Sequence, residues 1–344
     1  MNSRQVAECD TAHGKRLRIL IPGGSGQVGS VLARAFRADG HEVVVISRKS
    51  VGPEQSIVWD GKTLGEWASE VDGADAVINL AGYTVNCRYN KANRDRIMQS
   101  RIDSTHIIGE AIRAARRPPR IWLQASTATI YSHRYDAPND EFSGNIGGGV
   151  SDLPAAWGFS IDVATAWERA MDVADVPHTR KIKLRSAMTM SPDFGGIFDV
   201  LLGLVRLGLG GKSGNGKQFV SWVHHADFTR AISWLIENDE IDGVVNIASP
   251  NPLPNAAFMK AIRDAWGTRV GLPASKWMLE LGAIFMRTET ELILKSRRVV
   301  PGVLLKSGFE FQYPTWPDAA QSLCREWRAS RKTAQPPFFR NRFL

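Results

Sequence analysis

Three glycines spaced three apart, Gly23, Gly26 and Gly29, stand between the apolar run Arg18-Ile19-Leu20-Ile21-Pro22 and an Ala/Leu/Val-rich segment. Residues of these types in this order make a turn on which the pyrophosphate of a dinucleotide can rest. Gly23 lets the backbone bend, Gly26 leaves room for phosphate to approach the main chain, and Gly29 lets the following helix pack closely on its strand. The helix start at Gln27 and Val28 offers unpaired N–H groups and partial positive charge to the phosphates.

A second group of residues bears on which dinucleotide is held. Ser47-Arg48-Lys49 follows the next apolar run, His41 to Ile46. An acidic residue there would hydrogen-bond the ribose hydroxyls of NAD, whereas an arginine accommodates the extra phosphate of NADP. With Arg48 present and no carboxylate, NADP(H) is the expected cofactor, and NAD is the second choice. Asp60 is a candidate contact to the adenine edge, or a solvated loop carboxylate. Leu80, Ala81 and Gly82 break an apolar run into small residues and give backbone access to the ribose region. Ser126 to Tyr131 closes a later apolar run and is a further candidate segment for ligand contact.

The elements that must position these groups alternate. After the glycine turn, Gln27 to Ala38 reads as a helix stopped by Asp39-Gly40. Strands are expected at His41–Ile46, Ser56–Asp60, Asp75–Gly82 and Ile121–Ser126, with a helix over Lys91–Arg116 whose Ile97, Ile102, Ile107, Ile108 and Ile112 share one face. Ser132 to Ala156 is loop-like, a helix follows over Phe159–Ala174, and a sixth strand runs over Arg180–Ser186. Beyond it come an amphipathic helix after Phe194-Gly195-Gly196, a glycine-rich turn at Gly208–Gly216, a short strand entering a helix at Gln218–Asp227, and a last strand at Val244–Ala248. This alternation predicts a doubly wound parallel sheet, whose ligands bind beyond the carboxyl ends of the strands.

The bulk composition narrows the function classes. The chain has 344 residues and a formal charge of +8, from 43 basic and 35 acidic side chains. Basic residues gather near the C-terminus without a nucleic-acid motif, so a solvated tail over 331–344 is expected and no nucleic-acid partner. Three scattered cysteines, Cys9, Cys87 and Cys324, make neither a disulfide framework nor a zinc site and fit a reducing compartment. No apolar run approaches the roughly 18 residues of a membrane span, and residues 1–14 read as a disordered leader without a secretion signal. The expectation is a cytoplasmic protein, monomer or homodimer, with no membrane partner and a small-molecule substrate.

The glycine turn, Asn79-Leu80-Ala81-Gly82, Ser126-Thr127-Ala128-Thr129-Ile130-Tyr131 and Ser221-Trp222-Val223-His224-His225-Ala226-Asp227 together resemble the extended short-chain dehydrogenase/reductases. Within that group the chain is similar to the NAD(P)-dependent epimerase-like branch with a C-terminal module of unknown function, DUF1731. The finer likeness rests on Ser47-Arg48, Trp59-Asp60, Arg88-Tyr89, Ser100-Arg101, Trp167-Glu168, Gly210-Gly211 and Leu292 to Tyr313. It implies an α/β, Rossmann-type sheet over 15–186 and 217–249. It also implies a smaller α/β substrate lobe from 187–216 and 250–330, including the module at 277–323.

The same resemblance implies the chemistry. The superfamily uses a Ser or Thr to orient a substrate carbonyl, a tyrosine as acid/base, and a lysine four residues later to lower the tyrosine pKa. Thr127 matches the Ser/Thr position. Counting back from Glu168, the tyrosine position falls on Ser160 and the lysine position on Ala164, so the pair is missing. Tyr131, His133, His224 and His225 are candidate replacements for the acid, with Tyr131 the leading one, and Arg88, Arg94 and Arg101 are candidate anion ligands, with solvated helix charge the preferred reading for Arg94. The expected function is an NADP-dependent oxidoreductase or epimerase-like enzyme acting on a carbonyl or alcohol. The alternative is an NADPH-binding sensor or scaffold without turnover.

Overall fold

Short apolar runs set between glycine, proline and asparagine turns form strands that satisfy their buried backbone groups by pairing with one another. In chain order the strands are β1 (Arg18–Pro22), β2 (Glu42–Ser47), β3 (Ser56–Val58), β4 (Ala76–Asn79), β5 (Ile121–Thr127), β6 (Arg180–Ser186), β7 (Met188–Met190), β8 (Phe219–Val220), β9 (Trp222–His224), β10 (Gly243–Ile247) and β11 (Leu253–Pro254). The helices are α1 (Gln27–Ala38), α2 (Lys91–Ala114), α3 (Ala155–Asp172), α4 (Ile197–Arg206), α5 (His225–Glu237), α6 (Asn255–Trp266), α7 (Gly302–Lys306) and α8 (Trp316–Thr333). The computed structural model describes residues 15–49, 56–147, 155–274 and 294–333. The expected leader at 1–14 and the tail beyond 333 lie outside the described residues, as do parts of the 132–156 loop and of the C-terminal module.

Seven strands form one parallel sheet in the order β10-β6-β5-β4-β1-β2-β3. The order reverses at β1, so β1 and β4 part at their carboxyl ends and leave a crevice there, the place where doubly wound sheets hold ligands. The strands are apolar on both faces because helices cover both. One face packs Ile19, Ile21, Val45, Ile78 and Leu123 with Leu32 and Phe36 of α1 and with Phe228 and Ile232 of α5. The other packs Leu20, Val44, Val77 and Trp122 with Ile107, Ile108 and Ile112 of α2.

Element ends follow local chemistry. Helix α1 spans the residues expected, ends at Ala38 ahead of the Asp39-Gly40 stop, and turns through Gly40 with a positive φ of 85°. Strand β4 stops at Asn79, short of the expected Gly82, because the Asn79 side chain takes over the next backbone donor: its Oδ1 accepts the Ala81 N–H at 3.0 Å. Asn79 Nδ2 in turn donates to Gln124 Oε1 on β5 at 2.9 Å, so the two strand ends are locked together.

A third cluster lies beyond the sheet. It joins Phe198, Leu202 and Val205 of α4 to Phe258 and Ile262 of α6 and to Trp316, Ala320 and Leu323 of α8. Trp316 stacks on Phe258 with ring centroids 4.1 Å apart, and its indole N–H donates to the Phe258 carbonyl. Residues 299–309 were expected in this smaller lobe, but they return to the main sheet. Leu304 and Phe309 are buried against the α1 and α5 face, and Asn246 Nδ2 on β10 donates to the Val300 carbonyl at 3.0 Å. The apolar side chains of α7 thereby cover the last strand of the sheet, which would otherwise present its edge to water.

Candidate cofactor cleft and the adjoining cavity

The glycine turn leads from β1 into α1, and its glycines do different things. Gly23 has φ +77°, a left-handed conformation, and a Cβ there would lie 2.6 Å from the Ala81 nitrogen. A Cβ on Gly29 would lie 2.5 Å from Gly24 Cα, so helix and turn could not pack. Gly26 differs from both. Its φ is an ordinary −74°, and an added Cβ would meet nothing closer than the Gly23 carbonyl at 3.4 Å. The fold therefore requires Gly23 and Gly29, whereas at Gly26 it leaves open space.

That space is part of a cleft of about 860 Å³ whose lining includes Gly23, Gly26, Arg48, Asp60, Leu80, Ala81 and Gly82, within the roughly 300–1,000 Å³ of small-molecule sites. Helix α1 enters it with no side-chain cap and no acidic residue in its first turn. Its dipole and first N–H groups are thus left for an anion. Arg48 stands exposed on the rim beside Lys62. Asp60 also lines the cleft, but its carboxylate is held by its own loop, accepting from the Lys62 and Thr63 backbone N–H groups and the Thr63 hydroxyl. The Thr63 N–H, first among these, lowers its pKa. Gln27, Val28 and Gly29 do not line the cleft. The Gln27 side chain points to Ser191, with Nε2 3.3 Å from its Oγ, so Gln27 can offer only its backbone. A dinucleotide fits what is present: an uncapped helix start, a glycine with vacant space above it, and a cationic rim.

Beside this cleft lies a cavity of about 260 Å³ lined by residues of β5, α2 and α3 and of the segment before α2, among them Tyr89, Arg101, Thr127, Phe159, Ser160 and Trp167. Thr127 ends β5, and its Oγ1 accepts the Thr129 N–H at 3.1 Å. That bond leaves the hydroxyl proton unused, on a residue that lines the cavity. Ser126 lines the same cavity rather than the larger cleft, and its hydroxyl donates to Glu168 Oε1 at 2.6 Å.

Tyr131, the expected acid, is not brought here. The turn Ala128–Ile130 swings its ring into the core, where it is 2% exposed. Its hydroxyl donates to Asn246 Oδ1 at 3.0 Å and accepts from Arg185 Nη1 at 3.0 Å. Burial, outweighing the adjacent Arg185, raises its pKa. Arg185 is paired with Glu168 through two bonds of 2.8 Å, so Tyr131 belongs to a buried network that ties β5, α3, β6 and β10 together. His133 is likewise structural: its Nδ1 accepts the Ser296 N–H at 2.8 Å, and burial lowers its pKa.

The positions of the missing pair are now placed. Ser160 lines the cavity, whereas Ala164 is fully buried against Ala128, Ile130 and Val299. A lysine at 164 would be a buried, unpaired cation, so the geometry has closed over that position. Sequence reasoning missed Phe159 as a wall and left Tyr89 and Trp167 as marks of family likeness only. Arg94, expected to be solvated, instead braces the wall: its Nε donates to the Tyr89 carbonyl at 2.9 Å and its guanidinium lies 5.0 Å from the Phe159 ring centroid. Arg88 lines a separate polar hollow with Cys87 and Asn93.

His224 and His225 lie apart from both cavities, against α8. His224 caps α5, its Nδ1 accepting the Ala226 N–H at 3.1 Å, and its ring stacks on Tyr313 at 3.9 Å. His225 Nε2 lies 2.7 Å from Glu326 Oε2, and His224 Nε2 lies 3.5 Å from Glu326 Oε1, an ion-pair distance rather than a hydrogen bond. Three potential ligand atoms thus lie within 4.8 Å of one another. Because Nδ1 of His224 is the acceptor, its proton sits on Nε2, which has no lone pair left for a metal. The arrangement is a clamp on α8.

Its acid response follows from the pKa directions. Burial lowers that of His224. Burial alone would raise that of Glu326, but His224 and His225 outweigh it and hold the carboxyl below its ordinary 4.5. Both groups then bind fewer protons in the fold than in the unfolded chain. The Glu326 contribution is present above about pH 4.5 and is lost as pH falls toward its folded value. Discounted for partial exposure, about 1 kcal/mol is expected. Between pH 5 and 3 the Tm of the wild type should therefore fall roughly 2–4 °C more than that of Glu326→Gln in thermal melts; parallel falls would remove the clamp.

Known proteins share this architecture. Residues 19–147 match the NAD dependent epimerase/dehydratase family, and residues 274–323 match a domain of unknown function, DUF1731. The human epimerase family protein SDR39U1 is 31% identical over 303 residues, covering 87% of this chain and 96% of that protein. Epimerase family protein SERP0438 of Staphylococcus epidermidis is 30% identical over 311 residues, covering 90% and 99%. The crystal structure of human SDR39U1 (isoform 2) with NADPH aligns with a TM-score of 0.79 at 29% identity, covering 90% of this chain and 99% of that one. A nucleoside-diphosphate sugar epimerase from Corynebacterium glutamicum aligns with a TM-score of 0.70 at 25% identity, covering 94% of this chain and 63% of that one.

Proposed function

Because the chain belongs to the epimerase family that includes SDR39U1, an extended short-chain dehydrogenase/reductase with a C-terminal DUF1731 domain, we propose that it is an NADPH-dependent oxidoreductase or epimerase-like enzyme acting on a small carbonyl or alcohol. The observation that carries this reading is the adjacency of the two cavities: a cleft with open space above Gly26, and beside it a cavity lined by Thr127. NADPH in the crystal of the human relative supports the choice of cofactor, as does Arg48 on the cleft rim.

Bound NADPH would supply a hydride to a carbonyl carbon, leaving NADP⁺ and an alkoxide that takes up one proton to become the alcohol. The protein's part is positional and electrostatic. Thr127 donates to the carbonyl oxygen and so stabilises the charge that develops there. Ser126 is held by Glu168 and fixes the end of β5. The proton comes from a group lining the same cavity, where Tyr89 supplies a phenol.

One observation favours the second reading, a cofactor-binding sensor without turnover: Ser160 and the fully buried Ala164 occupy the places of the acid/base pair. Stopped-flow NADPH oxidation across aldehydes and ketones separates the two. Oxidation with at least one carbonyl supports the enzyme, and tight cofactor binding with none supports the sensor. Cofactor choice has its own test. Arg48→Asp should weaken NADPH by roughly tenfold or more, the loss of about one charge-assisted contact, and NADH much less. Equal losses in fluorescence titrations would remove the 2′-phosphate contact.

A further inference from the structure

Arg101 is a partly buried cation set against an aromatic ring without a carboxylate partner. It projects from α2 to the wall between the large cleft and the 260 Å³ cavity. Its Nη1 donates to the carbonyls of Tyr83 and Ile97 at 3.1 and 2.9 Å, and its guanidinium carbon lies 4.8 Å from the Trp167 ring centroid. Gly82 makes room for it, since a Cβ there would lie 3.1 Å from Arg101 Cζ. These contacts hold the guanidinium in place and do not neutralise it. Among the described residues no Asp or Glu makes an ion pair with it, and its Nε and Nη2 have no acceptor. That edge, with two parallel N–H donors, takes a carboxylate side-on.

A cation partly withdrawn from water without a counter-ion carries a desolvation cost. Burial here pulls the Arg101 pKa down to about 10, a pull that Tyr89 and Cys87 only partly oppose, so the group remains charged at neutral pH. An anion from outside the chain, held in the cavity that Arg101 and Thr127 both line, would complete this arrangement.

We propose that this cavity is the subsite for a substrate carboxylate, with Arg101 as its anchor and Tyr89, Phe159 and Trp167 as the walls around an apolar or planar body. The inference rests on the reading that the cavity is a substrate site, and it adds the substrate class: a small carbonyl acid. A carboxylate matches the guanidinium in charge and in its two oxygens. A phosphate dianion would leave a second charge facing neutral hydroxyls and rings. The volume, below the usual 300–1,000 Å³ of larger ligand sites, suits a benzoate-sized acid better than a nucleotide sugar. Arg101 acts as a binding residue and Thr127 as the donor to the reacting oxygen, so one molecule is held at two points.

The full chain saturated with NADP⁺ can be titrated with benzoate and with benzamide, followed by calorimetry and tryptophan fluorescence, since Trp167 sits against the guanidinium. Benzoate should bind at least tenfold tighter than benzamide. Arg101→Met should erase that preference, and Arg101→Lys should keep part of it, having the charge without the fork. NADP⁺ affinity should stay within about twofold in both variants. Equal binding of the two probes by the wild type overturns the proposal without any variant, and so does an Arg101→Met protein that still prefers benzoate. A large loss of NADP⁺ affinity would assign Arg101 to the cofactor instead and overturn it as well.

A parallel assay compares NADPH oxidation with 4-carboxybenzaldehyde and 4-methylbenzaldehyde. Here the acid should have the lower KM, and Arg101→Met should raise that KM with little change for the neutral aldehyde. Preference for benzoate with no oxidation of any carbonyl would remove the oxidoreductase reading and leave the carboxylate site. Oxidation of neutral carbonyls with no preference for benzoate would do the reverse.

Discussion

Gly26→Val is expected to raise the Kd for NADPH by more than about 100-fold while leaving the melting temperature within a few degrees of wild type. The separation of the two effects is the point of the experiment. At Gly26 the backbone is in an ordinary extended conformation and a Cβ touches only the Gly23 carbonyl, at 3.4 Å. Added methyl groups therefore enter the cleft rather than the protein, and occupy the volume a pyrophosphate needs to reach the start of α1. The neighbouring glycines make the controls. Gly29→Ala places a Cβ 2.5 Å from Gly24 Cα, an overpacking against backbone expected to cost about 3 kcal/mol or more. Gly23→Ala adds a left-handed strain of about 1–2 kcal/mol to a 2.6 Å clash with Ala81. Thermal melts and fluorescence titration on the three variants should give one folded non-binder and two destabilised proteins. Retained NADPH affinity in Gly26→Val would show that the turn is only structural.

Thr127→Ala should lower the rate of hydride transfer by roughly 10–1000-fold with NADPH affinity almost unchanged, the scale expected when one donor to a developing oxyanion is removed. The hydroxyl is preset because the Thr129 N–H already occupies one of its lone pairs. Thr127→Ser keeps that bond and the donor, and should retain much of the rate. Single-turnover stopped-flow measurements on the three proteins make the comparison. If Thr127→Ala matches the wild type, the carbonyl is not held where this geometry would hold it. Installing the superfamily pair as Ser160→Tyr with Ala164→Lys is not expected to help, because Ala164 faces the packed Ile130 and Val299 rather than the cavity.

Much of the fold could be read from local residue patterns. An Ala/Leu/Val-rich segment stopped by Asp39-Gly40 placed α1 on Gln27–Ala38, and the sixth strand expected over Arg180–Ser186 is β6. The glycine spacing located the cofactor turn because backbone freedom and close approach are properties of glycine itself, wherever the chain goes. Ser47-Arg48 lay on the cleft for a related reason: in a parallel sheet every strand delivers its carboxyl end to the same side.

What tertiary structure alone decided was the direction of side chains and the company they keep. Thr127 and Tyr131 are four residues apart in sequence, yet a single turn between them leaves one on the wall of a cavity and sends the other's ring into the core. The aromatic walls come from Tyr89 ahead of α2 and from Phe159 and Trp167 on α3, and Arg101 comes from α2. No local period links these positions; they meet because α2 and α3 pack side by side over the same end of β5. Sequence alone determined that the chain makes a dinucleotide turn on a doubly wound sheet, since that needs only residues adjacent along the chain. Which cation, hydroxyl and rings share the space beside it was decided by helix packing, where neighbours in space are distant in sequence.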